Sequence, residues 1–326
     1  VILSACIYLA FSVYLYYPHF RYFRSFDFLV VFNTAAGALG CFLLSKRWIY
    51  CYTGSFIAGL IYGFSPFMLE LAGYHPTAGL LAAGIPWLFC PAAFRGRYKS
   101  GWLSGMLALI PFAAIICFFY LTAKIRLFAV PLHERVHLPD LVSLVFPIVT
   151  ANSRITLIGF YHVPVAALII GLLMMIKARR YGVMVILAAG SILSFSGPVL
   201  NTSPLIWLSL PVLCCSILIG VGIEGLLAAG FADRKWLLIC TAAMTGLSIA
   251  SLLLANKYLQ GFLGLGRETA QLLTQTAGMY IMGLAVMGMI LFFSNARLRA
   301  VWLRIIIIAA GMAIDIFFGA TFMVYH

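Results

Sequence analysis

The stretch Gly59-Leu-Ile-Tyr-Gly-Phe-Ser-Pro-Phe-Met-Leu-Glu-Leu-Ala-Gly-Tyr-His-Pro76 interrupts an apolar chain with a proline and then with an ionisable pair. Ser65-Pro66 is expected to break the helix that enters the stretch, because proline lacks a backbone donor and its ring clashes with the preceding turn. Glu70 and His75 follow at a predicted membrane boundary. Ionisable groups are costly in or beside lipid, so this placement is a first hypothesis of a functional site.

Composition indicates an integral membrane protein. Hydrophobic residues make up 64% of the 326 residues and charged residues 9%, and the mean hydropathy is +1.09; soluble domains are far less apolar. Apolar runs recur along the chain, each long enough to cross the ~30 Å hydrocarbon core. No segment alternates in polarity as a transmembrane β-strand would. We therefore predict an all-α fold, a polytopic helical bundle forming a single transmembrane domain over residues 1–326, with eleven spans at 1–17, 27–45, 49–71, 77–94, 101–122, 157–176, 183–200, 206–229, 237–255, 273–294 and 305–324.

Lys and Arg predict the orientation of these spans. Basic residues mark cytoplasmic loops, and most of the 21 basic residues lie in alternate connections. The chain is thus predicted to be a multi-pass protein of the cytoplasmic (inner) membrane, with its C-terminus extracytoplasmic. The net charge of +13 then reflects topology and anionic lipid, not nucleic-acid binding. The basic residues of these connections are Lys46, Arg47, Arg95, Arg97, Lys99, Lys177, Arg179, Arg180, Arg234, Lys235, Arg297, Arg299 and Arg304.

Titratable side chains collect on the predicted outer side. Carboxylates and imidazoles on one face supply what metal binding or acid–base chemistry needs. Ordinary solvent-exposed loops contain the same residue types, so two interpretations stay open: a functional site, or polar outer loops without one. The residues concerned are His19, His75, His133, His137, His162, His326, Asp27, Glu70, Glu134, Asp140 and Glu268, whereas Glu224 and Asp315 fall within predicted helices.

One local pattern, His133-Glu-Arg-Val-His137, has the spacing of a zinc-protease motif. On a helix, that spacing puts two imidazoles on one face, and the Glu activates water. Pro131 and Pro139 bracket the motif and leave room for only a short helix. The alternatives are a membrane zinc metalloprotease, a polar surface loop, or a divalent cation held beside a lipid-borne substrate. The candidate ligands are His133, Glu134, His137 and Asp140.

Two further patterns point to packing instead of chemistry. The eight cysteines lie in predicted spans without C-x-x-C spacing, which argues against a zinc ribbon or a redox pair. Gly220-Val-Gly-Ile-Glu-Gly225 matches a dinucleotide-binding motif, but it lies inside a predicted membrane helix with no strand before it. Small residues in such a helix predict close approach of a neighbouring helix.

Several short motifs resemble, in their order, those of the GT-C membrane glycosyltransferases, specifically the bacterial YfhO-like branch. The resemblance covers roughly residues 27–230. The motifs are Gly37-Ala-Leu-Gly-Cys-Phe-Leu-Leu-Ser-Lys46, Gly59-Leu-Ile-Tyr-Gly-Phe-Ser-Pro66, His75, Ile85-Pro-Trp-Leu88, Leu138-Pro-Asp-Leu-Val-Ser-Leu-Val-Phe-Pro147, Ile158-Gly-Phe-Tyr161, Leu193-Ser-Phe-Ser-Gly-Pro198 and Pro204-Leu-Ile-Trp-Leu-Ser-Leu-Pro211.

The resemblance implies transfer of a sugar from a polyprenyl-phosphate carrier to an acceptor outside the cytoplasmic membrane. The family's catalytic carboxylate lies in a first outer loop, which is expected to precede Val1, since the sequence begins inside an apolar run. Asp27 is the substitute candidate, and Glu70 and His75 are the other catalytic candidates. The segment 204–220 lacks the basic residue that such families often carry.

The chemistry requires a base for the acceptor hydroxyl and positive charge or a divalent cation near the leaving phosphate. An apolar groove between helices would take the polyprenyl tail. The outer loop 123–156 is expected to pack over the outer end of the 59–94 helix pair, near Glu70 and His75, because a long loop between membrane helices is rarely structureless. Its candidate substrate-binding residues are Lys124, Arg126, Arg135 and Arg154.

Two other classes of function stay open besides the protease. A non-catalytic integral membrane subunit of a larger complex would explain the missing carboxylate. A transporter would need ionisable groups at the bilayer midplane, where Asp315 is the one acid predicted. The partners that the sequence predicts are the lipid bilayer and a polyprenyl-phosphate sugar, and no nucleic acid. If the protein is a non-catalytic subunit, we expect other proteins of a membrane complex as partners.

Overall fold

The structure is a computed structural model that describes residues 1–23, 28–74, 76–94, 106–107, 109–122, 136–150, 159–199, 203–229, 233–261, 266–293 and 301–325. Within these ranges the chain forms helices and turns and contains no β-strand. The predicted all-α fold is therefore confirmed.

Twelve helices of nine or more residues organise the described ranges. Short helical turns at Tyr17–His19, Pro91–Phe94, Leu138–Leu144 and Pro147–Thr150 lie between them. The helices are α1 (Ile2–Tyr16), α2 (Leu29–Ser45), α3 (Tyr52–Gly63), α4 (Pro66–Tyr74), α5 (Pro76–Phe89), α6 (Ile110–Thr122), α7 (Pro164–Lys177), α8 (Tyr181–Phe195), α9 (Pro204–Ala228), α10 (Arg234–Gly261), α11 (Gly266–Phe293) and α12 (Val301–Tyr325).

Six helical segments of the described ranges are long and apolar enough to cross a membrane: Ile2–His19, Tyr52–Gly73, Pro204–Ala228, Arg234–Lys257, Thr269–Phe293 and Val301–Tyr325. Helices α2, α5, α7 and α8 are apolar but have only 14 to 17 residues, or roughly 21–26 Å at 1.5 Å per residue. That is less than the ~30 Å hydrocarbon core. These helix lengths therefore support six crossings and not the eleven predicted.

The difference has a physical cause, because several predicted runs counted apolar residues that form turns. The run at 157–176 included Phe160, Tyr161 and Val163, yet α7 begins only at Pro164. The run at 183–200 continued past Phe195, where Ser196-Gly-Pro198 leaves the helix. Hydropathy alone does not distinguish an apolar turn from another turn of helix.

Helix α9 lies at the centre of the bundle. It contacts α2, α3, α5, α7, α8 and α12. Helix α9 and the Tyr52–Gly73 segment are mostly buried, whereas α1 and α10 are mostly exposed. Exposed apolar side chains on the outer helices suit a lipid environment. The described helices therefore form a helical membrane bundle with α9, one of the six long apolar segments, at its centre.

Glycines allow α9 to approach its neighbours closely. A Cβ atom on Gly222 would overlap the backbone carbonyl of Ala167 in α7, and one on Gly171 would overlap the carbonyl of Leu218 in α9. Gly220 meets the carbonyl of Gly54 in α3 in the same way. The interpretation of the 220–225 glycines as a close-packing motif is confirmed.

Arg304 joins three helices at one end of the bundle. Its guanidinium donates to the carbonyl of Ala229 (2.6 Å), to that of Leu227 (3.3 Å) and to that of Phe293 (2.5 Å). These carbonyls end α9 and α11, where the helix leaves acceptors unpaired and carries partial negative charge. Arg304 was assigned to a connecting loop from the sequence, but it is buried within the first turn of α12.

We expect Gly222→Ala to destabilise the bundle by about 1–3 kcal/mol, the usual range for overpacking, because the added methyl group meets backbone that cannot rotate away. Gly246→Ala is the matched control, since a Cβ there meets no atom within 4 Å, and it should be neutral or stabilising by up to about 1 kcal/mol. Thermal unfolding of the purified variants in detergent measures both. Equal unfolding temperatures for the two variants would contradict the close α7–α9 contact.

Candidate functional site

Ser65-Pro66 starts a new helix. The Ser65 hydroxyl accepts from the backbone N–H of Met68 (3.1 Å), and Pro66 is the first residue of α4. A serine N-cap followed by proline at the first helical position is a favoured helix start, because each removes an unpaired backbone donor. The predicted interruption is confirmed, and it orients α4 independently of α3.

The break leaves the Phe64 carbonyl without a helical partner, because the N–H of Met68 is bonded to Ser65. The hydroxyl of Tyr161 donates to this carbonyl. Tyr161 is fully buried and lies 97 residues further along the chain. A buried carbonyl needs a donor, and here the donor ties the α3–α4 break to the segment that leads into α7.

Next to Tyr161, His162 forms a fully buried ionisable pair with Asp315 of α12. The His162 Nδ1 and Asp315 Oδ1 atoms are 3.1 Å apart, and Asp315 Oδ2 accepts from the backbone N–H of Val163 at 2.6 Å. The ring of Tyr280 in α11 lies perpendicular to the imidazole, with centroids 4.8 Å apart. Sequence reasoning singled out Asp315 as an intramembrane acid but placed His162 among the outer-side residues and did not pair the two.

Three of the predicted site residues lie within the described ranges. Glu70 is half-buried in α4. His137 is exposed, with an extended backbone, and it precedes the turn Leu138–Leu144. Asp140 is 5% exposed and accepts from the backbone N–H of His137 at 2.7 Å. Asp27, His75, Lys124, Arg126, His133, Glu134, Arg135 and Arg154 lie outside the described residues, so their proposed roles remain predictions.

Only two residues of the predicted metal site, His137 and Asp140, lie within the described ranges. In the described ranges, no group of three or more His, Cys, Asp or Glu side chains could hold a metal ion. Asp140 uses one carboxylate oxygen to cap the turn that begins at Leu138, which gives it a structural role. A set that includes His133 and Glu134 falls outside the described residues and remains a prediction.

The described part of the long loop, 136–150, lies against three helices. The backbone N–H of Val136 donates to the carbonyl of Ser194 in α8 (3.1 Å), and Pro147–Thr150 contacts α11 and α12. The hydroxyl of Tyr280 donates to the carbonyl of Val145. The loop is therefore anchored on the bundle, and its contact with Glu70 and His75 remains a prediction.

Asn33 of α2 is a site residue that sequence reasoning missed. It is fully buried, and its Nδ2 donates to the carbonyl of Pro76 at 2.7 Å. Its Oδ1 has no partner among the described residues. Asn33 therefore fixes the start of α5 directly after His75. The signal that could have identified it is an amide side chain in an otherwise apolar helix, which is costly in lipid unless it is bonded.

An apolar groove of about 710 Å³ lies between α1, α2, α5 and α6. It follows α2 from Leu29 to Leu39, about 15 Å at 1.5 Å per residue. Phe32 in its wall is 53% exposed, so the groove reaches the surface that lipid would cover. Every lining side chain is apolar: Ala5, Leu9, Leu29, Phe32, Ala35, Ala36, Leu39, Leu80, Trp87, Pro111, Ala114, Ile115 and Phe118.

We expect Tyr161→Phe to lower the free energy of unfolding by about 1–3 kcal/mol, the cost of an unpaired buried polar group, because it leaves the Phe64 carbonyl without a donor. Tyr181→Phe is the control, since Tyr181 is 58% exposed and should tolerate the same change. Thermal unfolding in detergent compares the two. If both variants unfold at the wild-type temperature, the hydroxyl does not hold the break.

No family model matches the chain, and neither a curated protein nor a solved structure matches it. Likeness to known proteins therefore does not assign a function. The arguments for function rest on the groove and on the polar residues around it.

Proposed function

We propose that the protein binds a polyprenyl-phosphate-linked sugar and transfers the sugar at the outer face of the cytoplasmic membrane. The observation that supports this is the apolar groove, which begins beside the polar contact between Asn33 of α2 and the Pro76 carbonyl of α5. Leu29 and Leu80 line it, each within about one helical turn of the Asn33–Pro76 hydrogen bond. The GT-C-like resemblance of the sequence motifs points to the same substrate class.

Such a donor has two halves that need different surroundings. Its isoprenoid tail loses roughly 0.8 kcal/mol per methylene on leaving an apolar environment, whereas its phosphate and sugar cannot enter hydrocarbon cheaply. A groove open to lipid that ends beside polar residues accommodates both halves. A soluble sugar donor would have no use for an apolar groove of this length.

The proposed chemistry uses Glu70 as the base for the acceptor hydroxyl, with Asp27 and His75 as further catalytic candidates. A carboxylate in a half-buried position can take up the hydroxyl proton as the new glycosidic bond forms. The leaving phosphate needs positive charge, which the proposal assigns to Lys124, Arg126, Arg135 and Arg154 in the loop 123–156, with a divalent cation as the alternative.

A non-catalytic membrane subunit is the second candidate. It is favoured by the use of Asp140 and Asp315 in contacts that hold chain segments together. A zinc protease is less well supported, because its motif needs His133 and His137 on one helical face, and His137 has an extended backbone.

The proposal places His137 outside and Arg180 inside the cell, with the C-terminus extracytoplasmic. It therefore requires the shorter helices α7 and α8 to cross the membrane in addition to the long segments Pro204–Ala228, Arg234–Lys257, Thr269–Phe293 and Val301–Tyr325. Both residues are exposed, so single cysteines there, in a background with the exposed Cys6 and Cys117 replaced by Ala, report topology directly. A membrane-impermeant maleimide should label His137→Cys on intact cells, and Arg180→Cys only after permeabilisation. Labelling of both from the same side would overturn this orientation.

Filling the groove should weaken binding of the lipid tail. We expect Ala35→Phe to reduce the affinity for a polyprenyl phosphate by about tenfold or more, a loss of 1.4 kcal/mol, because the phenyl ring occupies space that the tail needs. Ala242→Phe, on the exposed face of α10, is the control. Photo-crosslinking to a diazirine-bearing polyprenyl phosphate in nanodiscs measures both, and equal labelling would exclude the groove as the tail site.

Glu70→Gln should lower the transfer rate by about 10²–10⁴-fold, the usual contribution of a general base. The unfolding temperature of the variant is measured alongside, to show that it is folded.

The double variant His133→Ala with His137→Ala distinguishes a zinc protease from a transferase, since it would abolish protease activity but only weaken sugar transfer. Turnover of a polyprenyl-phosphate sugar by the full-length protein is the assay. If the full-length protein neither binds nor turns over such a donor, the result would support a non-catalytic membrane subunit instead.

A further inference from the structure

The buried pair His162–Asp315 is not used by sugar transfer at the groove. Both carboxylate oxygens of Asp315 are engaged, one by His162 Nδ1 and the other by the backbone N–H of Val163. The remaining polar atom, Nε2 of His162, is buried and has no hydrogen-bonding partner among the described residues. The pair is therefore complete except at this one nitrogen.

The described surroundings of the pair contain hydroxyl groups but no cation in contact with it. Tyr280 faces it from α11, Tyr161 lies close to Asp315, and Tyr16 of α1 lies close to Tyr161. The other charged residue of α12, Arg304, is eleven residues away, about 16 Å along the helix, and donates to three carbonyls. Within the part of the chain that the structure describes, the pair therefore balances its own charge.

A carboxylate beside a neutral imidazole would leave one net negative charge in the core. An uncompensated buried charge is strongly unfavourable, and the N-terminus of α7, which carries about half a positive charge, offsets only part of it. One additional proton makes the pair neutral. The pair is then either an imidazolium with a carboxylate, or an imidazole that accepts at Nδ1 from a carboxylic acid.

Both neutral arrangements place a hydrogen on Nε2. In the imidazolium, both ring nitrogens are protonated. In the other arrangement, Nδ1 accepts a hydrogen bond, so the neutral ring carries its hydrogen on Nε2. Charge balance alone therefore makes Nε2 a donor, whichever of the two groups holds the additional proton.

We propose that His162 and Asp315 form a proton-binding site within the membrane bundle, which holds one exchangeable proton. Uptake converts a carboxylate and an Nδ1-protonated imidazole into a neutral pair, with one new N–H or O–H bond and a change in charge from −1 to zero. Because Asp315 belongs to α12 and Val163 lies at the start of α7, proton occupancy is coupled to the contact between these helices. The site does not depend on the sugar-transfer proposal.

The test is ¹⁵N NMR of the full chain in nanodiscs with labelled histidine, which reports the protonation of each ring nitrogen. The chain has six histidines, and His162→Gln identifies the signals of His162 by their loss. We expect Nε2 of His162 to be protonated in the wild type between about pH 5 and 8, where histidines change charge. We expect Asp315→Asn, which preserves shape but removes the carboxylate, to yield a neutral ring with a single N–H.

Infrared spectroscopy separates the two neutral forms, because only the acid form has the carbonyl stretch of a protonated carboxyl group that Asp315→Asn removes; either form supports the proposal. A wild-type ring that carries hydrogen on Nδ1 alone throughout that pH range would overturn it and leave a purely structural pair. His137→Gln at the exposed histidine is the control for assignment. The wild-type spectrum decides the question even if Asp315→Asn fails to fold, since His162 can also be assigned by sequential labelling of the His162–Val163 peptide bond, the one His–Val pair in the sequence.

Discussion

Backbone groups that are freed where a helix starts or ends inside the bundle need partners from the protein, because lipid supplies none. Three such places are visible, and a polar side chain serves each one. Tyr161 donates to the Phe64 carbonyl at the α3–α4 break, Asp315 accepts from the N–H of Val163 before α7, and Arg304 donates to the carbonyls that end α9 and α11. These bonds hold the helix ends in place, and the arrangement of the bundle depends on them.

Close helix packing supplies the rest of the cohesion. Without a hydrophobic driving force between helices in lipid, contact area and small residues decide which helices associate. Gly171 and Gly222 bring the backbones of α7 and α9 together, and α9 contacts six helices in all, α7 included. The central helix is therefore fixed by backbone proximity, and the polar core residues fix where its neighbours begin and end.

The buried polar residues and the proposed substrate site lie in different parts of the bundle. His162, Asp315 and Arg304 lie among α7, α9, α11 and α12, whereas the apolar groove lies between α1, α2, α5 and α6. Asn33 is the polar residue that connects the groove region to the turn after His75. An apolar chain bound in the groove would therefore leave undisturbed the bonds that hold the other helices.

The sequence by itself determined the helical membrane class, the new helix at Ser65-Pro66 and the close packing at Gly220–Gly225, because each follows from local composition or from the chemistry of adjacent residues. It did not determine the number of crossings, since apolar turns such as the one before Pro164 have the hydropathy of helix. The pairs His162–Asp315 and Tyr161–Phe64 are separated by 153 and 97 residues, and only the tertiary structure brought them together. Hydrophobic periodicity shows which face of a helix is buried, whereas the partner of a freed carbonyl or N–H is known only once the helices have been placed.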